Sequence, residues 1–211
     1  MFSNYNKLGA YLEKLKNEIY PEPESELHND LTQKAIELFV EPAKKDIRNV
    51  LDVGCGQGIA LKRFYDLEID TVGITLGHED FKVCIEKGYD VRIMDQSFLD
   101  FESNTFDLVW ARHCIEHSVM PLITLFEFNR VLKKGKYLYL EMPQAESIHV
   151  NNPNHYSLLG AKGWKHLLTK ASFEVIKDGR FNFNLIDGTP DEYMIFWSRK
   201  IEDVSMYKIS E

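Results

Sequence analysis

Four of the seven histidines stand in two short segments, His113-Cys114-Ile115-Glu116-His117 and His149 to His155. Imidazole gains and loses its proton near neutral pH, so His113, His117 and His155 are candidate catalytic bases. With the Glu116 carboxylate, the same three histidines are also a candidate ligand set for a divalent ion such as Zn, Fe, Mn or Co. A second segment, Val50-Leu51-Asp52-Val53-Gly54-Cys55-Gly56-Gln57-Gly58, carries different chemistry. An acid inside an apolar run is rare without a partner. The glycines after it tolerate positive φ and let backbone N–H groups come close to a ligand. Their spacing, Gly54-x-Gly56-x-Gly58, is not the Gly-x-Gly-x-x-Gly of dinucleotide-binding enzymes.

The elements that must position these groups follow from hydrophobic period and punctuation. Strands are expected at 49–54, 71–76, 91–94, 106–110, 136–141, 173–178 and 192–199. Helices are expected at 58–65, 79–87, 119–132 and 160–171. Strand–helix alternation implies an α/β fold: a mainly parallel sheet with helices on both faces. The stretch 179–191 has no helical pattern and contains the turn signals Asp187-Gly188 and Thr189-Pro190. The last two strands must therefore be antiparallel neighbours. Upstream, Leu8, Leu12, Leu15 and Ile19 form one helix face, ended by Pro21 and Pro23. Asp30 is a candidate cap for a second helix burying Leu31, Ala35, Leu38 and Phe39. This divides the chain into an N-terminal helical arm or lid, 1–45, and a core domain, 46–211.

Composition narrows the class. The 211 residues carry a net charge of −8, which disfavours a long nucleic acid as partner. No apolar run is long enough to span a membrane, and no secretory signal precedes the first helix. Cys55, Cys84 and Cys114 have no Cys-x-x-Cys spacing and read as reduced thiols of a cytoplasmic protein.

Four features, in order, resemble the class I S-adenosylmethionine-dependent methyltransferases over about residues 30–200. The first is the Asp52–Gly58 loop. The resemblance implies that Asp52, Gly54, Cys55 and Gly56 hold the methionine part of the cofactor. The second is Val72-Gly73-Ile74-Thr75-Leu76. The family usually has an acid where Thr75 stands, but a Gly-x-Thr-Leu run followed by a polar residue resembles the branch of cyclopropane synthases and phosphoethanolamine methyltransferases. Thr75 or Asp80, beside Leu76, is then expected at the ribose; Asp80 has a second reading as a solvated first-turn helix residue. The third is Met94-Asp95-Gln96-Ser97, where Asp95, Gln96 and Ser97 are implied to surround the adenine. The fourth, Asn129-Arg130-Val131-Leu132-Lys133-Lys134-Gly135, is structural, with Gly135 expected as the helix stop. Arg112, ending the fourth strand, is placed with the cofactor contacts.

His113-Cys114-Ile115-Glu116-His117 also has the H-x-x-E-H spacing of inverted zinc proteases, but that motif needs a long helix and here it follows a buried strand. It is more similar to the Glu-x-x-Glu-His set, completed by a later His, that binds a divalent metal in small-RNA 2′-O-methyltransferases and some ubiquinone-pathway O-methyltransferases. In metal-free relatives, Glu-His at this place fixes a loop or acts as a base. The family implies a Rossmann-like, seven-stranded, mostly parallel sheet with an antiparallel last strand. The expected activity is methyl transfer from S-adenosylmethionine to a small polar molecule at oxygen, with a divalent metal as a second cofactor. The alternatives are N-methylation, a nucleotide-sugar or lipid-headgroup acceptor, and a non-catalytic S-adenosylmethionine-binding module of a complex. Acceptor identity and oligomeric state stay open.

Overall fold

The computed structural model describes residues 2–16, 21, 25–185 and 187–204, leaving aside the side chains of residues 2–6, 11 and 16. Ile19 and Pro23 lie outside the described residues. Seven strands form one sheet: β1 (Asn49–Val53), β2 (Asp70–Thr75), β3 (Val91–Ile93), β4 (Phe106–Arg112), β5 (Leu132–Pro143), β6 (Phe173–Asn184) and β7 (Pro190–Lys200). Their order is β3-β2-β1-β4-β5-β7-β6. The first five are mutually parallel, and β7 runs antiparallel to both β5 and β6. This is the expected Rossmann-like arrangement, closed by an antiparallel hairpin because the β6–β7 link holds no helix. Crossovers are made by α3 (Ile59–Asp66), α4 (His78–Glu86), α5 (Pro121–Val131) and α6 (Ala161–Lys170). Among the described residues, no helix is long and apolar enough to cross a membrane.

Strand alternation sorts the core onto two faces. Leu51, Val53, Val109 and Ala111 face α5 and α6 with Phe128, Trp164 and Leu168. Val50, Leu108 and Trp110 face the other way, joined by Phe64 of α3 and by residues of the arm. Asp52 shares that second face by period. Trp110 stacks on Tyr139 with ring centroids 4.0 Å apart, at the middle of the sheet.

Upstream of the sheet lie α1 (Phe2–Lys16) and α2 (Glu26–Ala35). Two details of the arm differ from the sequence reading. The cap of α2 is Ser25, whose hydroxyl accepts from the His28 N–H at 3.2 Å; Asp30 sits inside the helix. Beyond Ala35 the helix widens into a π turn over Ile36–Val40. That extra residue advances the buried stripe, so Leu31 and Ala35 are followed by Ile36, Phe39 and Val40, and Leu38 is left 45% exposed.

Gly135 is a third correction. The helix α5 ends at Val131, and Leu132 already has extended geometry. Gly135, with φ +79°, lies inside β5, where pairing jumps from Phe106↔Leu132 to Leu108↔Tyr137. It serves a bulge, which needs the same left-handed backbone as a helix stop. The rest of that motif is structural, as expected. Arg130 donates to the carbonyls of Leu99 and Phe101 at 2.7 and 2.6 Å. Asn129, fully buried, donates to the carbonyls of Ala171 and Glu202 and accepts from the Val204 N–H. Asn129→Ala leaves these groups without partners and is expected to lower stability by about 2–4 kcal/mol in urea unfolding.

Candidate functional site

The glycine loop turns because β1 ends against β2. The N–H groups of Gly54 and Cys55 both donate to the Ile74 carbonyl, at 2.9 and 3.0 Å. Gly54 and Gly58 hold φ of +70° and +93°. A Cβ on Gly54 would stand 2.7 Å from the Cys114 Cβ, and one on Gly58 2.7 Å from the Tyr89 ring. These two glycines are thus required by neighbouring protein atoms. Thiols gather at the same loop: Cys84 and Cys55 point at the Gly56 carbonyl, at 3.2 and 3.7 Å. The Cys55 side chain packs with Leu61, Cys84 and Val91, turned away from the larger cavity described next.

A cavity of about 160 Å³ opens at the carboxyl ends of the strands. Thr75, Leu76, Asp80, Asp95, Gln96 and Ser97 line one side of it. The Thr75 hydroxyl accepts from the Gly77 N–H at 3.0 Å. Asp80 is 4% exposed, so its reading as a solvated first-turn residue fails. Asp95 accepts from the Ser97 N–H at 2.7 Å, making a turn at the cavity wall. The Ser97 hydroxyl bonds Thr124 at 2.8 Å inside a buried hydroxyl cluster with Ser118. Gln96 donates to the Cys114 carbonyl at 2.7 Å, and among the described residues its own oxygen has no partner. Leu12 and Leu15 of α1 cover this cavity; His113, His117 and Tyr156 line its far side.

A smaller cavity, about 60 Å³, adjoins it across Gly54, Gly56 and His113. Here Asp52 and Arg112 meet His28 and Thr32 of α2. Asp52 is 2% exposed, and burial pushes its carboxyl up to about 7 against the pull of Arg112. One oxygen of Asp52 and one terminal nitrogen of Arg112 have no partner among the described residues. Burial, with His113 and Arg112 nearby, pushes the His28 imidazole down to about 4.

Behind both cavities lies a fully buried carboxylate, Glu141 at the end of β5. It accepts from Arg112 Nε at 2.7 Å, from His113 Nε2 at 3.0 Å and from the Tyr139 hydroxyl at 2.5 Å. Burial would raise its pKa; Arg112 and His113 reverse this and hold it below the ordinary carboxylate range. Burial likewise lowers the pKa of His113, but Glu116 and Glu141 outweigh it and leave the imidazole above its ordinary value.

His113 takes φ of +52° and swings the chain out of β4 into a short turn over Ile115–His117. Glu116, His117 and His155 offer ligand atoms that all lie within 4.8 Å of one another. His117 Nδ1 lies 2.9 Å from the Asn154 carbonyl, and His155 Nδ1 lies 3.0 Å from the His149 carbonyl. A carbonyl only accepts, so in both rings Nδ1 carries a proton and Nε2 faces away from that bond. The second Glu116 oxygen has no partner among the described residues. Burial favours the neutral form of Glu116, yet His113 and His117 bring its pKa below the ordinary value. The His155 imidazole is lowered, chiefly by burial. His113 does not join the three: Glu141 engages its Nε2, and its Nδ1 stands 3.7 Å from Glu116.

The sequence reading missed His28, Thr32, Tyr139 and Glu141. A signal existed for the last: Glu141 interrupts the apolar end of β5 as Asp52 interrupts β1. His28 and Thr32 are four apart beside the Leu31–Ala35 stripe, which marks a polar edge on a buried helix.

Residues 20–183 match the methyltransferase-domain family. A ubiquinone biosynthesis O-methyltransferase of Xanthomonas axonopodis pv. citri is 29% identical over 157 residues, covering 68% of this chain and 64% of that protein. A norajmaline N-methyltransferase of Rauvolfia serpentina is 32% identical over 129 residues, covering 53% of this chain and 43% of the relative. Alignments to the curated relatives span from 21% to 64% of the relatives' own length. Among solved structures, Haemonchus contortus phosphoethanolamine N-methyltransferase 2 superposes with a TM-score of 0.69 at 16% identity, over 82% of this chain and 53% of that one. That structure holds phosphomonomethylethanolamine and S-adenosylhomocysteine. With the strand order, the closing hairpin and the glycine loop already described, the match over residues 20–183 makes this chain a member of the class I S-adenosylmethionine-dependent methyltransferase family.

Proposed function

We propose that the chain transfers the methyl group of S-adenosylmethionine to an oxygen of a small polar acceptor, with a divalent ion held by Glu116, His117 and His155. The observation that carries this reading is the convergence of Glu116, His117 and His155, with one unpartnered Glu116 oxygen among the described residues, beside the larger cavity. Two ligands about 2.1 Å from a tetrahedral ion stand about 3.4 Å apart, so atoms now within 4.8 Å would close by at most about 1.4 Å to hold a metal. When bound, the sulfonium supplies an electrophilic methyl and the ion lowers the pKa of an acceptor hydroxyl.

The chain's own groups do the rest. Asp52 and Arg112 suit the ammonium and carboxylate of the cofactor's amino-acid end, beside Gly54, Cys55 and Gly56. Thr75 or Asp80 reaches the ribose, with Leu76 beside it. Asp95, Gln96 and Ser97 frame the adenine, Gln96 through its unpartnered oxygen. Without metal, His155 is the base, because its lowered pKa keeps it unprotonated at neutral pH. Leu12, Leu15 and Val119 exclude water, with residues 1–45 acting as a lid. The near approach of acceptor to methyl supplies most of the acceleration. Relatives named for N-methylation keep an amine acceptor as the second reading. A non-catalytic binding module has no use for the Glu–His–His cluster.

Radiolabelled methyl transfer to a panel of phenols, alcohols and amines, with and without chelator, tests the activity. Labelled ethers that vanish with chelator are expected; labelled amines formed with chelator present would overturn the oxygen-and-metal reading. His117→Ala and His155→Ala are expected to weaken cobalt(II) binding at least 100-fold and to leave S-adenosylhomocysteine affinity within about threefold.

The cofactor assignment has its own pH signature. The Asp52 carboxyl, at 3.8 in the unfolded chain, sits at about 7 in the fold. Between those values the folded form keeps a proton that the unfolded form has lost. Stability of the ligand-free protein therefore falls as pH rises through this window and levels off above it. Asp52→Asn removes the effect. Urea unfolding is expected to show the variant gaining on the order of 3 kcal/mol relative to wild type between pH 4.5 and 7.5. Saturating S-adenosylhomocysteine, by supplying an ammonium, should flatten the wild-type slope.

A further inference from the structure

The His155 ring is aimed by the loop that follows β5, and that loop is weakly anchored. The short turn Ile148–Asn151 contains no buried residue, and Ile148 and Val150 are 51% and 59% exposed. No apolar side chain of the turn pins it to the core. What ties it to β7 is a hydrogen bond: His149 Nε2 lies 2.7 Å from Asp191 Oδ2. The Asp191 side chain is 3% exposed, at the start of β7, and its other oxygen accepts from the Glu192 N–H at 2.9 Å. The backbone carbonyl of the same His149 accepts the Nδ1 proton of His155. It also accepts from the Asn152 N–H at 3.1 Å. Asn152 in turn donates to His155 Nε2 at 3.3 Å. A chain of contacts thus runs from β7, through the His149 ring and its carbonyl, to both nitrogens of His155.

We propose that Asp191 and His149 are positioning residues: the carboxylate fixes the His149 turn, and the His149 carbonyl fixes the tautomer and aim of His155. The consequence for metal binding rests on the ligand set proposed above; the consequence for the ring does not. Polar groups behind a ligating histidine are worth roughly 10- to 100-fold in metal affinity. The closing antiparallel hairpin, remote from the cofactor loop, then becomes part of the acceptor side of the site.

The test uses the full chain and two variants. Asp191→Ala removes the carboxylate. His149→Phe keeps the carbonyl and the ring bulk but loses the ring–carboxylate bond. Nitrogen-15 NMR of the metal-free protein reads the His155 tautomer. Wild type is expected to hold one form, protonated at Nδ1; both variants should show a mixture. Cobalt(II) titration, followed by its visible d–d bands, should show affinity lower by roughly 10- to 100-fold. Asp191→Asn, whose amide oxygen can still accept from His149, should restore much of both signals. S-adenosylhomocysteine affinity should stay within twofold, showing that the fold is intact. Variants with the wild-type tautomer and wild-type cobalt affinity would overturn the proposal. A wild type that takes no cobalt would sink the metal reading, while the tautomer comparison would still decide for or against Asp191.

Discussion

Glu141 is a charge buried out of bulk solvent, and the ends of two neighbouring strands, β4 and β5, arrange themselves to satisfy it. Taking one carboxylate out of water costs several kcal/mol even after relaxation. Arg112, His113 and Tyr139 offset that cost with three short donors. Each donor is thereby committed. Arg112 is drawn across the sheet with one nitrogen left over beside Asp52. His113 is held in a left-handed conformation that is uncommon for a residue with a Cβ. The bend it makes delivers His117 to the cavity wall, with the buried Glu116 beside it.

One buried carboxylate therefore serves two functions. Toward β1 it prepares a cationic partner near an orphaned acid, the pairing that a zwitterionic ligand end requires. Toward the loops it fixes the exit of β4. The two cavities share Gly54, Gly56 and His113 because both are built on the same strand ends. The antiparallel β7 completes the arrangement. Tyr193 packs its ring edge-on to His113 at 4.1 Å, and Asp191 reaches the His149 turn. A closing hairpin that looks like sheet termination supports the reactive side as well.

Much of this was legible in the residues. The apolar run broken by Asp52 announced both the first strand and a polar end to it, because a lone buried acid needs a purpose. The helix-free stretch 179–191 announced the antiparallel pair. Glu116, His117 and His155 were legible as a cluster, since strand order brings the β4 and β5 loops together. Other features were not. The π turn over Ile36–Val40 shifts the helix phase by one residue, so a fixed 3.6 period assigned Leu38 to the core. Gly135 marks positive φ, and helix stops and bulges need the same backbone, so sequence could not separate them. His113 carries the same chemistry, but the position of Glu141 holds it apart from the cluster of Glu116, His117 and His155. The thiols of Cys55 and Cys84 meet at one carbonyl although 29 positions apart, a proximity no local pattern encodes.

On the proposed reading, one set of strand ends holds the cofactor and a metal side by side. Crystallising the chain with S-adenosylhomocysteine and cobalt(II), and collecting at the cobalt edge, tests it most directly. The amino-acid end of the ligand should lie between Asp52 and Arg112, its adenine beside Asp95. One anomalous peak should stand among Glu116, His117 and His155. A ligand seated elsewhere, or a peak absent from those three side chains, would contradict it.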